Sequence, residues 1–179
     1  MNDPSGADGA PLLTDRVEVP DGARLVLATH NAGKLTELRQ ILKPLVPDLD
    51  PGAIISAASL KVSEPVEDGL SFTDNARLKA RALAWATGLP AVADDSGLCV
   101  DVLGGAPGIF SARWSVRHGD DEANLQLLLS QLADVADPHR TARFTCAAVL
   151  VQPATGSAPE RVAAIERSME GRLAHSPQG

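Results

Sequence analysis

Blocks of apolar residues alternate with polar stretches along the chain, and their spacing predicts strands followed by helices. Residues 24–29 are mostly apolar and predict a first strand. From Gly33 onward apolar residues recur at helical spacing, and Pro44 with Pro47 predicts the end of that helix. Its apolar face comprises Leu35, Leu38, Ile41 and Leu42.

A second helix is predicted from Ser71 to Gly88 by local signals at both of its ends. Ser71, with Asp74 three positions later, resembles a capping box in which the shorter acid replaces glutamate. Gly88 followed by Pro90 is typical of a helix end.

The remaining segments continue the alternation and indicate one α/β domain. Residues 1–22 are rich in Gly, Pro, Asp and Ala without periodicity, which predicts a flexible leader and assigns the domain to 23–179. The other predicted elements are a short apolar piece at 53–55, strands at 91–95 and 98–102, a tight loop at 104–108, a helix at 121–133 with Leu125, Leu128, Leu129 and Leu132 buried, and strands at 142–151 and 161–168.

Composition narrows the class of protein. The 179 residues suit one domain with a sizeable core. A net charge of −7 without a clustered basic face argues against nucleic acid as a partner. No apolar run approaches the ~20 residues of a membrane span, and no secretory signal is evident, so we expect a cytoplasmic protein without a membrane partner. Cys99 and Cys146 are expected to be reduced core residues, and the scattered histidines give no basis for a zinc site.

The strongest chemical signal is a predicted strand that ends in Asp94, Asp95, Ser96 and Gly97. Two adjacent acids repel each other, and a loop at the carboxyl end of a strand is where α/β sheets usually bind ligands. One interpretation is a turn in which these side chains bond to nearby backbone. The other is that Asp95, with Glu67 from an acidic loop, supplies oxygen ligands for Mg²⁺.

Two lysines add candidate phosphate contacts. The turn between the first strand and helix leaves backbone N–H groups at a helix start, where an anion is stabilised, and Lys34 lies in the first helical turn. This turn is not a P-loop, because Ala28 and Leu35 occupy the positions that need Gly and Ser or Thr. Lys79 shares a helix face with Asn75. Alone, the Lys34 turn is equally compatible with an ordinary helix start, and a lysine placed like Lys79 on an exposed helix is usually just solvated. Together with the acids the two lysines favour phosphoryl or nucleotidyl chemistry.

Five ordered blocks resemble the inosine/xanthosine triphosphate pyrophosphatase family over about residues 24–171. Each block is weak alone, whereas the ordered combination is specific. The blocks are Leu-Ala-Thr-His-Asn-Ala-Gly-Lys at 27–34, Glu-Asp-Gly-Leu-Ser-Phe at 67–72, Asn-Ala with Lys-Ala at 75–80, Ala-Asp-Asp-Ser-Gly-Leu at 93–98, and Leu-Gly-Gly-Ala-Pro-Gly-Ile-Phe-Ser-Ala-Arg-Trp at 103–114.

The resemblance implies hydrolysis of ITP, dITP or XTP between the α and β phosphates, with Mg²⁺ and in a homodimer. It also implies an elongated mixed α/β fold with two lobes around a cleft. Carried onto this chain, Glu67 and Asp95 bind metal, Asp95 accepts a proton from water, Lys79 contacts phosphate and Ser96 touches substrate. The triphosphate is held by Thr29, His30, Asn31, Ala32, Gly33 and Lys34.

One departure from the family concerns the end of the chain. Relatives continue past the segment resembling 170–179 with a Gly-Phe-Gly-Tyr-Asp-Pro block, a lysine and a Ser-His-Arg triplet, which hold the purine and add positive charge. Here the sequence ends at Gly179. It is therefore interpreted either as a fragment or as a product that lacks base recognition, for which we expect weak or absent activity. The competing hypotheses are a catalytically impaired nucleotide-binding or dimerising module, and a related pyrophosphatase with pyrimidine or modified-base preference.

Overall fold

A computed structural model describes residues 16–29, 32–60 and 62–177. Its strands form one mixed sheet in the order β2-β1-β3-β4-β5. The strands and helices are β1 (Leu25–Leu27), α1 (Ala32–Leu45), β2 (Ile54–Ser56), α2 (Phe72–Thr87), β3 (Ala91–Val100), α3 (Asp121–Gln131), β4 (Thr141–Gln152) and β5 (Arg161–Arg172). The mixed α/β fold expected from the sequence is confirmed.

The first three strands are parallel, and the last two run antiparallel to their neighbours. β1 pairs with β2 on one side and β3 on the other, whereas β3–β4 and β4–β5 are antiparallel. The chain passes from β1 through α1 to β2 on one side of β1. It then passes from β2 through α2 to β3 on the other side of β1. This makes the carboxyl end of β1 a topological switch point, which is the usual ligand site of open α/β sheets.

Helices α1 and α2 lie on opposite faces of the sheet. The alanine-rich face of α2 packs closely on the sheet around Ala93 and Val149, and this cluster forms the main core. Leu38 and Ile41 of α1 line a groove with Val92 on the other face. No described α1 residue is fully buried, so this face of the sheet is much less covered.

Both predicted helices near the amino end are present, with different accuracy at their ends. In α2 the Ser71 side chain accepts a hydrogen bond from the Asp74 N–H at 3.1 Å, and Gly88 closes the helix with φ 72°. In α1 the helix ends at Leu45, between the two prolines predicted to end it, and Pro44 lies in its last turn. A proline in the last turn removes only one helical hydrogen bond, so the helix continues for one further residue.

The prediction of two strands at 91–95 and 98–102 is wrong. Residues 91–100 form the single strand β3, so Asp94, Asp95 and Ser96 lie within a strand rather than in a loop. β4 pairs with β3 along its whole length, from Ala91 opposite Val151 to Val100 opposite Ala142. These cross-strand hydrogen bonds override the low strand preference of aspartate and glycine.

The later elements are present with shifted limits. Helix α3 ends at Gln131, earlier than predicted, and of its expected apolar stripe Leu128 and Leu132 are fully buried. Strands β4 and β5 are longer than predicted, and β5 is an exposed edge strand. Both cysteines are free, as expected, with Cys99 buried and Cys146 partly buried.

The structure describes only part of the amino-terminal segment that the sequence predicts to be a flexible leader. Residues 1–15 lie outside the described part of the chain. Within the predicted leader, the Val17 N–H donates to Ala86 O at 2.9 Å and the side chain packs against the main core. The leader boundary at residue 22 stays a prediction. Among the described residues, no helix combines the length and apolar character that a membrane crossing requires.

Candidate active site

The acidic pair of β3 lies just past the carboxyl end of β1. The pairing of these parallel strands reaches Leu27 opposite Val92, and the Ala28 N–H still donates to Val92 O at 2.8 Å. Beyond that point the chain turns away toward α1 while β3 continues. Asp94 and Asp95 are therefore at the switch point, although they lie within a strand.

Asp95 points toward α2 and contacts two polar side chains there, one of which also contacts Glu67 in the preceding loop. The Lys79 Nζ lies 3.2 Å from Asp95 Oδ1 and 3.4 Å from Glu67 Oε1. The Asn75 Nδ2 donates to Asp95 Oδ2 at 3.3 Å. The side chains of Glu67, Lys79 and Asp95 are largely shielded from solvent. The structure thus brings Glu67, Lys79 and Asp95 together, as the sequence prediction requires.

The environment of Asp95 changes its proton affinity. Burial raises the pKa of Asp95 above its ordinary value, while Lys79 and the Asn75 hydrogen bond act in the opposite direction and Glu67 adds a smaller increase. Desolvation penalises the charged carboxylate. A partly buried acid with a raised pKa, in contact with a lysine and a second acid, is a common feature of functional sites.

Asp94 and Ser96 lie on the opposite face of β3, because successive strand residues alternate between faces. The Lys34 Nζ lies 2.5 Å from Asp94 Oδ2. Lys34, Asp94 and Ser96 line one groove, whose floor includes Phe144 and Cys146. The predicted site residues therefore divide between the two faces of β3. The role of Asp94 was left open by the sequence; the structure makes it the partner of Lys34.

The predicted triphosphate turn is described only in part. Thr29 is buried, and its carbonyl accepts a hydrogen bond from the Ser56 hydroxyl at 2.5 Å. Helix α1 begins at Ala32, so Ala32 and Gly33 place its positive end beside the carboxyl end of β1. His30 and Asn31 lie outside the described residues.

The side chain of Asn75 is a contact that the sequence did not assign. It was noted only because it lies one helical turn before Lys79. In the structure it is fully buried, donates to Asp95, and accepts a hydrogen bond from the Gly69 N–H at 2.9 Å. The shared face of Asn75 and Lys79 was the available signal for its proximity to the acids.

The donor set of this cluster fits a divalent cation. Glu67 and Asp95 already contact one positive charge, the ammonium of Lys79. Among the described residues no group of three or more His, Cys, Asp or Glu side chains could hold a metal. Mg²⁺ commonly uses only one or two carboxylates together with substrate phosphates, so two acids are a sufficient protein contribution.

An open α/β sheet with acids and lysines at its switch point defines a protein built to bind a small charged ligand at the strand ends. The particular family is shown by comparison with known proteins. The chain belongs to the Ham1 family, whose sequence model matches residues 25–179.

Individual relatives support the same assignment. A dITP/XTP pyrophosphatase of Streptomyces coelicolor is 58% identical over 156 residues, which cover 87% of this chain and 74% of the relative. The protein of that name from Escherichia coli O157:H7 is 51% identical over 136 residues, covering 76% of this chain and 66% of the relative.

Solved structures agree with the sequence comparison. A nucleoside-triphosphatase, dITP/XTP pyrophosphatase, from Mycobacterium abscessus has a TM-score of 0.74 and 43% identity, covering 87% of this chain and 77% of that one. A HAM1 protein from Coxiella burnetii has a TM-score of 0.71 and 35% identity, covering 88% of this chain and 76% of the other.

Proposed function

We propose that the protein hydrolyses non-standard purine nucleoside triphosphates such as dITP and XTP to the monophosphate and pyrophosphate. The observation that carries this proposal is the cluster of Glu67, Lys79 and the partly buried Asp95 at the switch point. The names of the Streptomyces and Escherichia relatives supply the substrate class.

In the proposed reaction Asp95 takes a proton from the attacking water. The water oxygen forms a bond to the α-phosphorus, the bond from that phosphorus to the bridging oxygen breaks, and pyrophosphate leaves with the electron pair. Burial raises the pKa of Asp95 toward the working pH, which strengthens a carboxylate as a general base. The Asn75 hydrogen bond occupies the second carboxylate oxygen and limits its rotation.

The proposed charge balance involves both faces of β3. A triphosphate carries about four negative charges, and hydrolysis requires that the charge on the phosphates be neutralised. Lys34 and Lys79, which now pair with Asp94 and Asp95, are positioned to contact phosphate oxygens instead. Glu67 and Asp95 are the proposed ligands of Mg²⁺, which supplies further neutralisation when bound.

Pyrophosphate release from a triphosphate panel, with and without Mg²⁺, tests the proposal directly. We expect dITP and XTP to be preferred over dGTP and TTP, and Asp95→Asn to lower turnover about 10²-fold or more. Asp101→Asn is the matched control, because Asp101 follows the same strand but pairs with Arg143 away from the cluster. Near-wild-type turnover in Asp95→Asn would remove Asp95 from the mechanism.

The same assay separates the competing hypotheses. Nucleotide binding without pyrophosphate release indicates the catalytically impaired module, and preference for a pyrimidine or modified base indicates the related pyrophosphatase. Neither alternative is favoured by a contact in the described residues, so both stay predictions. The expected cytoplasmic location also stays a prediction.

We further propose that the protein forms a homodimer. The sheet face opposite α2 leaves large apolar side chains exposed on the β4–β5 hairpin: Phe144, Ile165 and Met169. Phe144 and Met169 are direct cross-strand partners, and an exposed apolar patch is typical of an interaction site. Sedimentation velocity tests this proposal, and a monomer at micromolar concentration would contradict it.

A further inference from the structure

Asn75 holds two parts of the acidic cluster at once. Its side chain is 0% exposed and lies in the first turns of α2. The amide oxygen accepts the Gly69 N–H at 2.9 Å, and the amide nitrogen donates to Asp95 Oδ2 at 3.3 Å. Because a backbone N–H can only donate, the oxygen must face Gly69 and the nitrogen must face the carboxylate.

The backbone of the acidic loop approaches this amide closely. A Cβ atom at Gly69 would lie 2.6 Å from Asn75 Oδ1 and 2.9 Å from the Asn75 backbone nitrogen. Only glycine fits this contact without movement of α2 or the loop. Since Glu67 is two residues before Gly69, the position of the loop acid depends on this contact.

A second buried asparagine shows what loop attachment alone requires. Asn124 in α3 is also buried, and its oxygen accepts the Ser115 N–H at 2.7 Å. Its amide nitrogen is buried without a hydrogen-bond partner among the described residues. The amide oxygen is therefore enough to hold a loop against a helix. The nitrogen of Asn75 instead contacts Asp95, which is a separate interaction aimed at the reactive cluster.

We propose that Asn75 is a positioning residue that fixes the Glu67 loop and the Asp95 carboxylate at one relative position. Its effects on turnover and on cation binding rest on the proposed function, whereas its effect on the loop does not. The Asn75 amide leaves Asp95 Oδ1, the oxygen nearest Lys79, for the proton or cation, and it holds Glu67 on the other side of the same ammonium.

Two variants separate the contributions of the two hydrogen bonds made by the Asn75 amide, one to Gly69 and one to Asp95. Asn75→Asp keeps an oxygen for the Gly69 N–H and replaces the donor with a second acceptor facing Asp95. Asn75→Leu removes both hydrogen bonds at similar volume. Asn124→Leu is the matched control, because it removes a buried asparagine that holds a loop outside the acidic cluster.

Three measurements on the full chain report on these two hydrogen bonds. They are hydrogen exchange of the peptide containing Gly69, calorimetric titration with Mg²⁺, and kcat and KM for dITP. We expect Asn75→Leu to speed exchange at Gly69 and to weaken Mg²⁺ binding about 10–100-fold, as loss of partners behind metal ligands usually does. Asn75→Asp should keep slow exchange and lower kcat about 10–100-fold with KM within about threefold. Asn124→Leu should match the wild type in all three.

Unchanged exchange and Mg²⁺ affinity in Asn75→Leu would overturn the positioning role, even if the wild type hydrolyses dITP. Full kcat in Asn75→Asp would overturn the role of the hydrogen bond that the Asn75 amide nitrogen donates to Asp95. If the wild type instead releases no pyrophosphate from any triphosphate, the proposed function fails, while hydrogen exchange at Gly69 still decides whether Asn75 holds the loop. Should Asn75→Leu not fold, Asn75→Asp alone tests the two hydrogen bonds: exchange reports on the one from Gly69 and kcat on the one to Asp95.

Discussion

Asp95 occupies a position that lowers the stability of the fold, and its proposed role as a general base would explain that cost. The carboxylate is partly buried beside a second acid, and its pKa is raised chiefly by burial. Lys79 and Asn75 compensate only in part. A group whose protonated form is favoured by folding stabilises the protein most when it is protonated.

The pH dependence of stability tests this reading with a chelator present. Because the folded pKa of Asp95 lies above its value in the unfolded chain, its unfavourable contribution appears as pH rises through that interval and persists above it. We expect the stability of Asp95→Asn relative to the wild type, measured by urea unfolding, to rise as pH increases from below the ordinary aspartate pKa to above it. A relative loss over that range would contradict the raised pKa.

Val116 shows strain of a different kind at the scale of one residue. Its φ is 84°, in the left-handed region that a β-branched residue rarely adopts, and its side chain is 92% exposed. No buried contact compensates for this conformation. We expect Val116→Gly to stabilise the protein by about 1 kcal/mol, measured by chemical denaturation. Val116→Ala relieves only the branching and should gain less; a destabilised Val116→Gly variant would show that the strain is absent.

At the scale of elements, local and tertiary signals differ in what they can predict. Helix α2 follows its sequence signals to the residue at both ends, because Ser71 and Gly88 satisfy backbone groups within a few residues. Strand β3 does not, because its continuity depends on β4, which lies about fifty positions away in the chain. No local pattern at Asp94 and Asp95 reports that pairing.

Gly97 provides a test of how the turn after β3 packs on that strand. A Cβ atom there would lie 2.4 Å from Gly108 O and 2.5 Å from Ser111 Oγ, so the turn after β3 packs directly on the strand. We expect Gly97→Ala to cost about 1–3 kcal/mol of unfolding free energy, because a backbone oxygen must move. Gly171→Ala in β5 is the matched control, since nothing lies within 4 Å of its added Cβ. Equal stability of the two variants would contradict the packing of this turn.

At the scale of the whole molecule, Arg140 joins the end of α3 to the end of the β4–β5 hairpin. The side chain is 1% exposed and donates to the carbonyls of Leu132, Leu173 and Ala174 at 2.6, 3.0 and 2.9 Å. A planar guanidinium matches several spaced acceptors, whereas a lysine ammonium does not.

We expect Arg140→Lys to lower the free energy of unfolding by about 1–3 kcal/mol, because a buried ammonium cannot donate to all three carbonyls that the guanidinium now contacts. Arg143→Lys is the control, as Arg143 is exposed and pairs with Asp101 at 2.7 Å. Exposed ion pairs contribute about 0–1 kcal/mol, so its effect should be small. Thermal unfolding of both variants measures the difference, and equal losses would count against the linking role of Arg140.

The sequence by itself determined the α/β class, the ends of α2, and the residue types that meet at the site. These depend on periodicity, capping and side-chain chemistry, which act over a few residues. Only the tertiary structure decided that Asp94 and Asp95 belong to one strand and face opposite sides, with Lys34 on one face and Lys79 on the other. The physical reason is that strand pairing and burial are set by residues distant in the chain, and they also fix the proton affinity of Asp95 and the contact of Asn75 with Gly69.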